Sequence, residues 1–70
     1  MYCFFTYDSI HFVLKSEKIL LENNVKLDII PTPRDLSSNC GMCIKVKSED
    51  KETVMQLMLK NKIATSYHFR

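Results

Sequence analysis

The sequence predicts an α+β two-layer sandwich of four strands and two helices, in one domain spanning residues 1–70. Three observations carry that expectation. The hydrophobic period switches between two and about 3.6 residues in the order strand, helix, strand, strand, helix, strand. Seventy residues leave room for one core and none for a second. Both prolines, the only glycine and two of the three cysteines lie between positions 31 and 43, which marks that stretch as a loop between elements.

In order, Tyr2 to Tyr7 is aromatic-rich and without a breaker, as suits a central strand apolar on both faces. Asp8 or Ser9 can cap a helix by accepting a bond from a free backbone N–H. From Ile10 to about Glu22, residues Ile10, Val13, Leu14, Leu20 and Leu21 form one helical stripe. Asn23 and Asn24 then stop the helix, since asparagine tolerates the left-handed conformation. Val25, Leu27 and Ile29 alternate with Lys26 and Asp28 as a half-buried strand. After the loop, Met42, Ile44 and Val46 alternate with Cys43, Lys45 and Lys47 in a third strand. Ser48 can cap a second helix with Glu49, Asp50 and Glu52 in its first turn. Val54, Leu57 and Met58 form its apolar stripe, Met55 and Met58 read as core, and Asn61 ends it. Ile63, Thr65, Tyr67 and Phe69 alternate with Ala64, Ser66, His68 and Arg70 in a last strand. This βαββαβ order is that of the ferredoxin-like split βαβ, with strand three between strands one and two and both helices on one face.

Composition excludes several classes. A net charge of +2, with lysines alternating with acids, offers no basic stripe for nucleic acid. No apolar run approaches the roughly 20 residues of a membrane span. Met1-Tyr2-Cys3-Phe4-Phe5 lacks a basic leader and a cleavage site. An odd number of cysteines fits reduced thiols in a cytoplasm better than a disulfide framework. At this size a core is only marginally stable, so a homodimer or a partner surface is an option. No phosphate loop, carboxylate dyad or serine triad is present, and no cofactor is expected.

The loop carries the chemistry. Pro31 and Pro33 stiffen its entry. Ser37, Ser38 and Asn39 can turn the chain, and Gly41 permits a special backbone conformation or a close approach to a ligand. The loop presents Cys40, with Arg34 available to hold an anion or a thiolate. In a split βαβ topology this loop lies at the sheet end where the first helix begins. That places Cys40 near the free N–H groups of residues 9–12 and near His11, both of which favour thiolate. Arg34 could equally be an exposed charge or a pair with Asp35. Glu17 falls on the apolar stripe, where a bare carboxylate is costly; it bonds into the loop or the helix rotates it outward.

Pro31-Thr32-Pro33-Arg34-Asp35-Leu36-Ser37-Ser38-Asn39-Cys40-Gly41 resembles the central motif of a small bacterial family described as selenium/sulfur-carrier-like. The resemblance extends to Phe4-Phe5-Thr6, to the helix from Ser9-Ile10-His11 through Ser16-Glu17-Lys18, and to Val25 through Ile30. It implies that Cys40 is the carrier or reactive residue, with Arg34, Ser37, Ser38 and Gly41 shaping its loop. His11 and Glu17 match less specific helix positions. Donor and acceptor proteins for sulfur or selenium would be the partners. Cys43 departs from the family pattern, where a small or apolar residue is expected, and creates a Cys-x-x-Cys.

Two other readings compete. Cys40 and Cys43 could cycle between dithiol and disulfide, although that motif opens a helix in thioredoxin-type proteins and here opens a strand. Cys43 is expected to face away from the helices. The domain could also be a non-catalytic interaction or ligand-sensing module, so whether it is an enzyme stays open. A metal site is weak: one Cys-x-x-Cys supplies two ligands, and Cys3, His11 and His68 lack second-pair spacing.

Overall fold

The computed structural model describes residues 1–36 and 39–70. Among them the elements run β1 (Tyr2–Thr6), α1 (Ile10–Glu22), β2 (Asp28–Pro31), β3 (Met42–Lys47), a 3-10 turn (Ser48–Asp50), α2 (Lys51–Lys60) and β4 (Ser66–Phe69). The four strands form one antiparallel sheet in the order β2-β3-β1-β4. The fold is the expected ferredoxin-like α+β sandwich, with β3 between β1 and β2.

Strand alternation divides the sheet into two faces. On one, Cys3, Phe5 and Tyr7 of the first strand and its exit join Ile44 and Val46 of β3, and both helices cover them through Val13, Leu20, Val54 and Met58. On the other, Phe4 and Cys43 pack with Ile30 under Leu36. Leu36 belongs to the β2–β3 loop, so the loop folds back over the face that the helices leave open.

Several boundaries differ from the sequence reading, for reasons the backbone supplies. Val25 and Ile63 are not strand residues. Each is the buried apolar residue that follows a helix: Val25 N–H donates to the Leu20 carbonyl at 2.9 Å and Ile63 N–H to the Met58 carbonyl at 2.9 Å. The preceding Asn24 (φ 61°) and Lys62 (φ 57°) are left-handed, and their N–H groups return to Leu21 and Leu59. This is a Schellman ending, used twice. Asn23 and Asn61 complete both with side-chain bonds to the Ile19 and Leu57 carbonyls, each 2.8 Å.

At the other helix ends, Ser9 holds the N-cap position without a side-chain cap bond. Ser48 opens the 3-10 turn and does not cap α2, whose N-cap position is Asp50.

The apolar stripe of α1 is also corrected. Val13 and Leu20 are buried, but the third buried residue is Ser16, whereas Ile10, Leu14 and Leu21 are 48%, 53% and 58% exposed. Apolar residues occupy more of this helix than one face can bury. The rotation adopted buries Val13 and Leu20, half-buries Phe12 and Ile19, and brings the small Ser16 against α2. There Ser16 Oγ donates to Met58 Sδ at 3.3 Å, beside the Tyr7 hydroxyl, which donates to the same sulfur at 3.5 Å. Glu17 is turned partly outward and half-buried at the margin. No helix is long and apolar enough to cross a membrane.

Candidate functional site

The loop between β2 and β3 is closed at its base by the Thr32 N–H bonded to the Gly41 carbonyl at 2.9 Å. Inside it, Leu36 N–H bonds back to the Pro33 carbonyl at 2.9 Å, closing a turn with Arg34 and Asp35 at its central positions. Gly41 has φ +75°, and no atom lies within 4 Å of where a Cβ would stand. Its positive φ is the backbone conformation that glycine permits. Ser37 and Ser38 lie outside the described residues.

Cys40 reaches the end of the sheet where α1 begins, as the topology requires. Its thiol donates to the Met42 carbonyl at 3.2 Å and to the Tyr7 carbonyl at 3.7 Å. Both of these acceptors are carbonyl oxygens, and the Tyr7 carbonyl stands just before α1. Tyr7 is itself fixed on both sides. Its ring is buried in the main core, its hydroxyl meets Met58, and the neighbouring Thr65 hydroxyl donates to the Thr6 carbonyl at 2.8 Å.

Beside this thiol lies a cleft of about 280 Å³ lined by Thr6, Tyr7, Asp8, Asn39, Ala64, Thr65 and Ser66. Asn39 directly precedes Cys40 and Tyr7 supplies one of its acceptors, so Cys40 stands at the cleft's edge. The lining is polar, with one carboxylate and no cationic side chain.

The other expected residues are distributed differently. Cys43 is fully buried among Phe4, Leu36 and Ile30, facing away from the helices as expected, while Cys40 packs against the core on the helix side. Burial pushes the Cys43 thiol up; the Thr32 hydroxyl pulls it down, and charge on Cys40 would raise it further. That hydroxyl is buried and makes no well-formed hydrogen bond among the described residues, so its pull is weak. Cys3 is fully buried in β1, and burial likewise raises its thiol. All three cysteines are unbridged, and only Cys40 has partial exposure.

Arg34 is exposed and, among the described residues, forms no ion pair. The pairing considered for it with Asp35 is not made. Asp35 instead receives Arg70, whose Nε lies 2.8 Å from Oδ2, which ties the loop to the end of β4. His11 is exposed on the first turn of α1, edge-on to the Phe12 ring at 5.2 Å. Among the described residues, neither His11 nor Glu17 forms a hydrogen bond or ion pair with the Cys40 loop. Among the described residues no three His, Cys, Asp or Glu side chains gather as a metal centre would need.

Sequence reasoning missed three contributors: the Tyr7 carbonyl, the Leu36 lid over Cys43, and the cleft between residues 6–8 and 64–66. Leu36 had a signal, as the one large aliphatic residue between Pro33 and Met42. The Tyr7 carbonyl had none, because a backbone acceptor leaves no mark in residue identity.

A family model described as "Putative Se/S carrier protein-like" matches residues 2–70. The chain belongs to that family. No curated protein and no solved structure matches it. The match extends through β4, whereas the resemblance read from the motifs covers about the first two thirds of the chain and, less clearly, the second helix. The cleft, built from both ends of the sequence, lies within the matched region.

Proposed function

We propose that this protein carries sulfur or selenium on Cys40. The observation supporting this most directly is that Cys40 alone among the three thiols is partly exposed, next in sequence to Asn39, which lines a polar cleft, in a member of this family. Loading takes place by thiol exchange. The Cys40 thiolate attacks the outer sulfur of a donor persulfide, forming Cys40–S–SH as the donor leaves as a thiolate. A donor selenosulfide delivers selenium in the same way, and no external oxidant is needed. The proton lost from Cys40 passes to solvent or to the departing thiolate. An acceptor thiolate then reverses the exchange.

Pro31, Pro33 and the closed loop base hold the thiol in place. Arg34, exposed on the loop, is the group available to attract an acidic donor or acceptor surface. Gly41 sets the backbone, Ser37 and Ser38 remain as supporting positions implied by the motif, and His11 and Glu17 as less specific helix positions of the resemblance. The donor and acceptor are proteins, and the work belongs in a reducing cytoplasm where a persulfide and three thiols coexist.

Intact mass before and after exposure to a protein persulfide donor tests this reading. The expected product is a reductant-labile adduct of one sulfur atom, lost in Cys40→Ser and retained in Cys43→Ser. An adduct that survives Cys40→Ser would overturn it. Loss of two hydrogens requiring both cysteines would point to a Cys40–Cys43 dithiol cycle instead. An inert thiol would leave the interaction module.

A further inference from the structure

β4 is an edge strand, and the way it bonds to β1 fixes which of its backbone groups are left over. Tyr2 and Arg70 exchange both of their hydrogen bonds: Tyr2 N–H to the Arg70 carbonyl at 2.9 Å, and Arg70 N–H to the Tyr2 carbonyl at 3.0 Å. In an antiparallel ladder such pairs recur every second residue. With Phe4 opposite His68 and Thr6 opposite Ser66, the inward-bonding residues of β4 are Ser66, His68 and Arg70. The N–H and C=O of Tyr67 and Phe69 therefore point away from the sheet. The Phe69 carbonyl accepts from Arg70 Nη1 at 3.0 Å and not from a ladder N–H.

The two edges of the sheet are unlike. The outer edge of β2 carries Pro31, with no N–H to offer, and the charged Asp28, both of which discourage further pairing. β4 reads Ser-Tyr-His-Phe, with no proline and no lysine, arginine or acid. Its outward-bonding residues are also its exposed aromatics: Tyr67 is 40% and Phe69 41% exposed. Their rings meet edge-to-face at 5.7 Å, and Tyr67 leans on Phe5 at 6.1 Å. A row of outward backbone groups, of which the Phe69 carbonyl already meets Arg70, beneath two exposed rings is a template for another strand.

We infer that β4 pairs antiparallel with β4 of a second copy of this chain, with Tyr67 opposite Phe69 of that copy and Phe69 opposite its Tyr67. The strand fits itself. A two-fold axis through His68 satisfies all four outward groups of Tyr67 and Phe69 on each chain in two reciprocal pairs. It sets an aromatic opposite an aromatic on the helix side of the sheet. The neighbouring register, Tyr67 opposite Tyr67, would send Phe69 to Thr65, outside the strand. On the other face the axis places the two His68 rings opposite each other and sets Arg70 opposite Ser66. The Phe69 carbonyl exchanges its exposed Arg70 contact for the Tyr67 N–H of the second copy.

Sedimentation equilibrium of the whole chain from micromolar to millimolar, joined to amide exchange, tests the assignment. A mass twice the 8.2 kDa of one chain is expected at the upper end. Protection of the Tyr67 and Phe69 amides should rise with protein concentration while the Ser66 and His68 amides stay protected throughout. Tyr67→Pro removes an N–H that β1 does not use, so it should give a folded monomer. Phe69→Glu does the same through charge where proline disturbs folding. A single-chain mass across the range would overturn the inference. So would a dimer unaffected by either variant, or exchange at residues 67 and 69 that ignores concentration. These readouts are independent of Cys40 loading, so either proposal can fail alone.

Discussion

Cys40 and Cys43 stand three positions apart yet serve opposite layers of the molecule, and their surroundings decide what each can do. Cys43 is sealed under Leu36, whereas Cys40 borders solvent and the cleft. An alkylating reagent at neutral pH is expected to label Cys40 first, with Cys3 and Cys43 reacting only as the protein opens; peptide mapping of a labelling time course reads this. Leu36→Ala should cost about 2 kcal/mol in urea unfolding, the low end for a buried leucine because the site lies at the surface layer. It should also bring Cys43 labelling forward relative to Cys3. Gly41→Ala meets no atom, so its cost is the conformational one of a left-handed residue, about 1 kcal/mol. A much larger loss would mean that the loop needs glycine for packing.

At the scale of elements, the helix endings are what the sequence patterns concealed. Val25 and Ile63 continue the alternation of β2 and β4, and period alone assigns them to those strands. Their N–H groups are already committed to Leu20 and Met58, so the strands begin three residues later. Asn24 and Lys62 carry the left-handed turns, and only asparagine is suited to one. Lys62→Gly is therefore expected to stabilise the fold by about 0.5–1 kcal/mol, and Asn24→Gly by less. Paired urea melts compare the two, and destabilisation by Lys62→Gly would refute the reading of that cap. The stripe of α1 was legible as amphipathic but not in its rotation, because Ile10, Leu14 and Leu21 compete with Phe12 and Ile19 for the same core. Ser16, polar by identity, won a central place through its small size and the Met58 sulfur.

Across the whole molecule, burial raises three acids together: Cys3, Cys43 and Tyr7, the last opposed by the hydroxyls of Ser16 and Thr65. Raised values mean that the folded state keeps these protons longer than the unfolded chain does. Their contribution is fully present below the ordinary values of 9.0 for the thiols and 10.0 for the phenol. It is lost as pH climbs past them, because the unfolded chain then releases protons that the folded one holds. Unfolding free energy should therefore stay level through neutrality on account of these groups and decline above about pH 9. Cys43→Ala should reduce the slope of that decline in an alkaline urea series. By contrast, Arg70→Ala should cost less than about 1 kcal/mol at pH 7, since its pair with Asp35 is exposed on both sides.

The chain's order of periods determined by itself the element sequence, the sheet order that follows from it, and the loop that bears Cys40. These depend on local spacing and on the few ways a right-handed βαβ unit can close. The sequence also placed Cys43 away from the helices, because strand alternation leaves one choice once β3 is located. Only the tertiary structure decided what meets across the chain: Leu36 folding over Phe4 and Cys43, the Tyr7 carbonyl receiving the Cys40 thiol, and Asp35 choosing Arg70 over its neighbour Arg34. Each joins positions about 30 or more apart for at least one partner, through surfaces or backbone atoms that no residue type announces. Hydrogen bonding along β4 likewise follows from register and not from composition, which is why an unremarkable four-residue strand became the molecule's open edge.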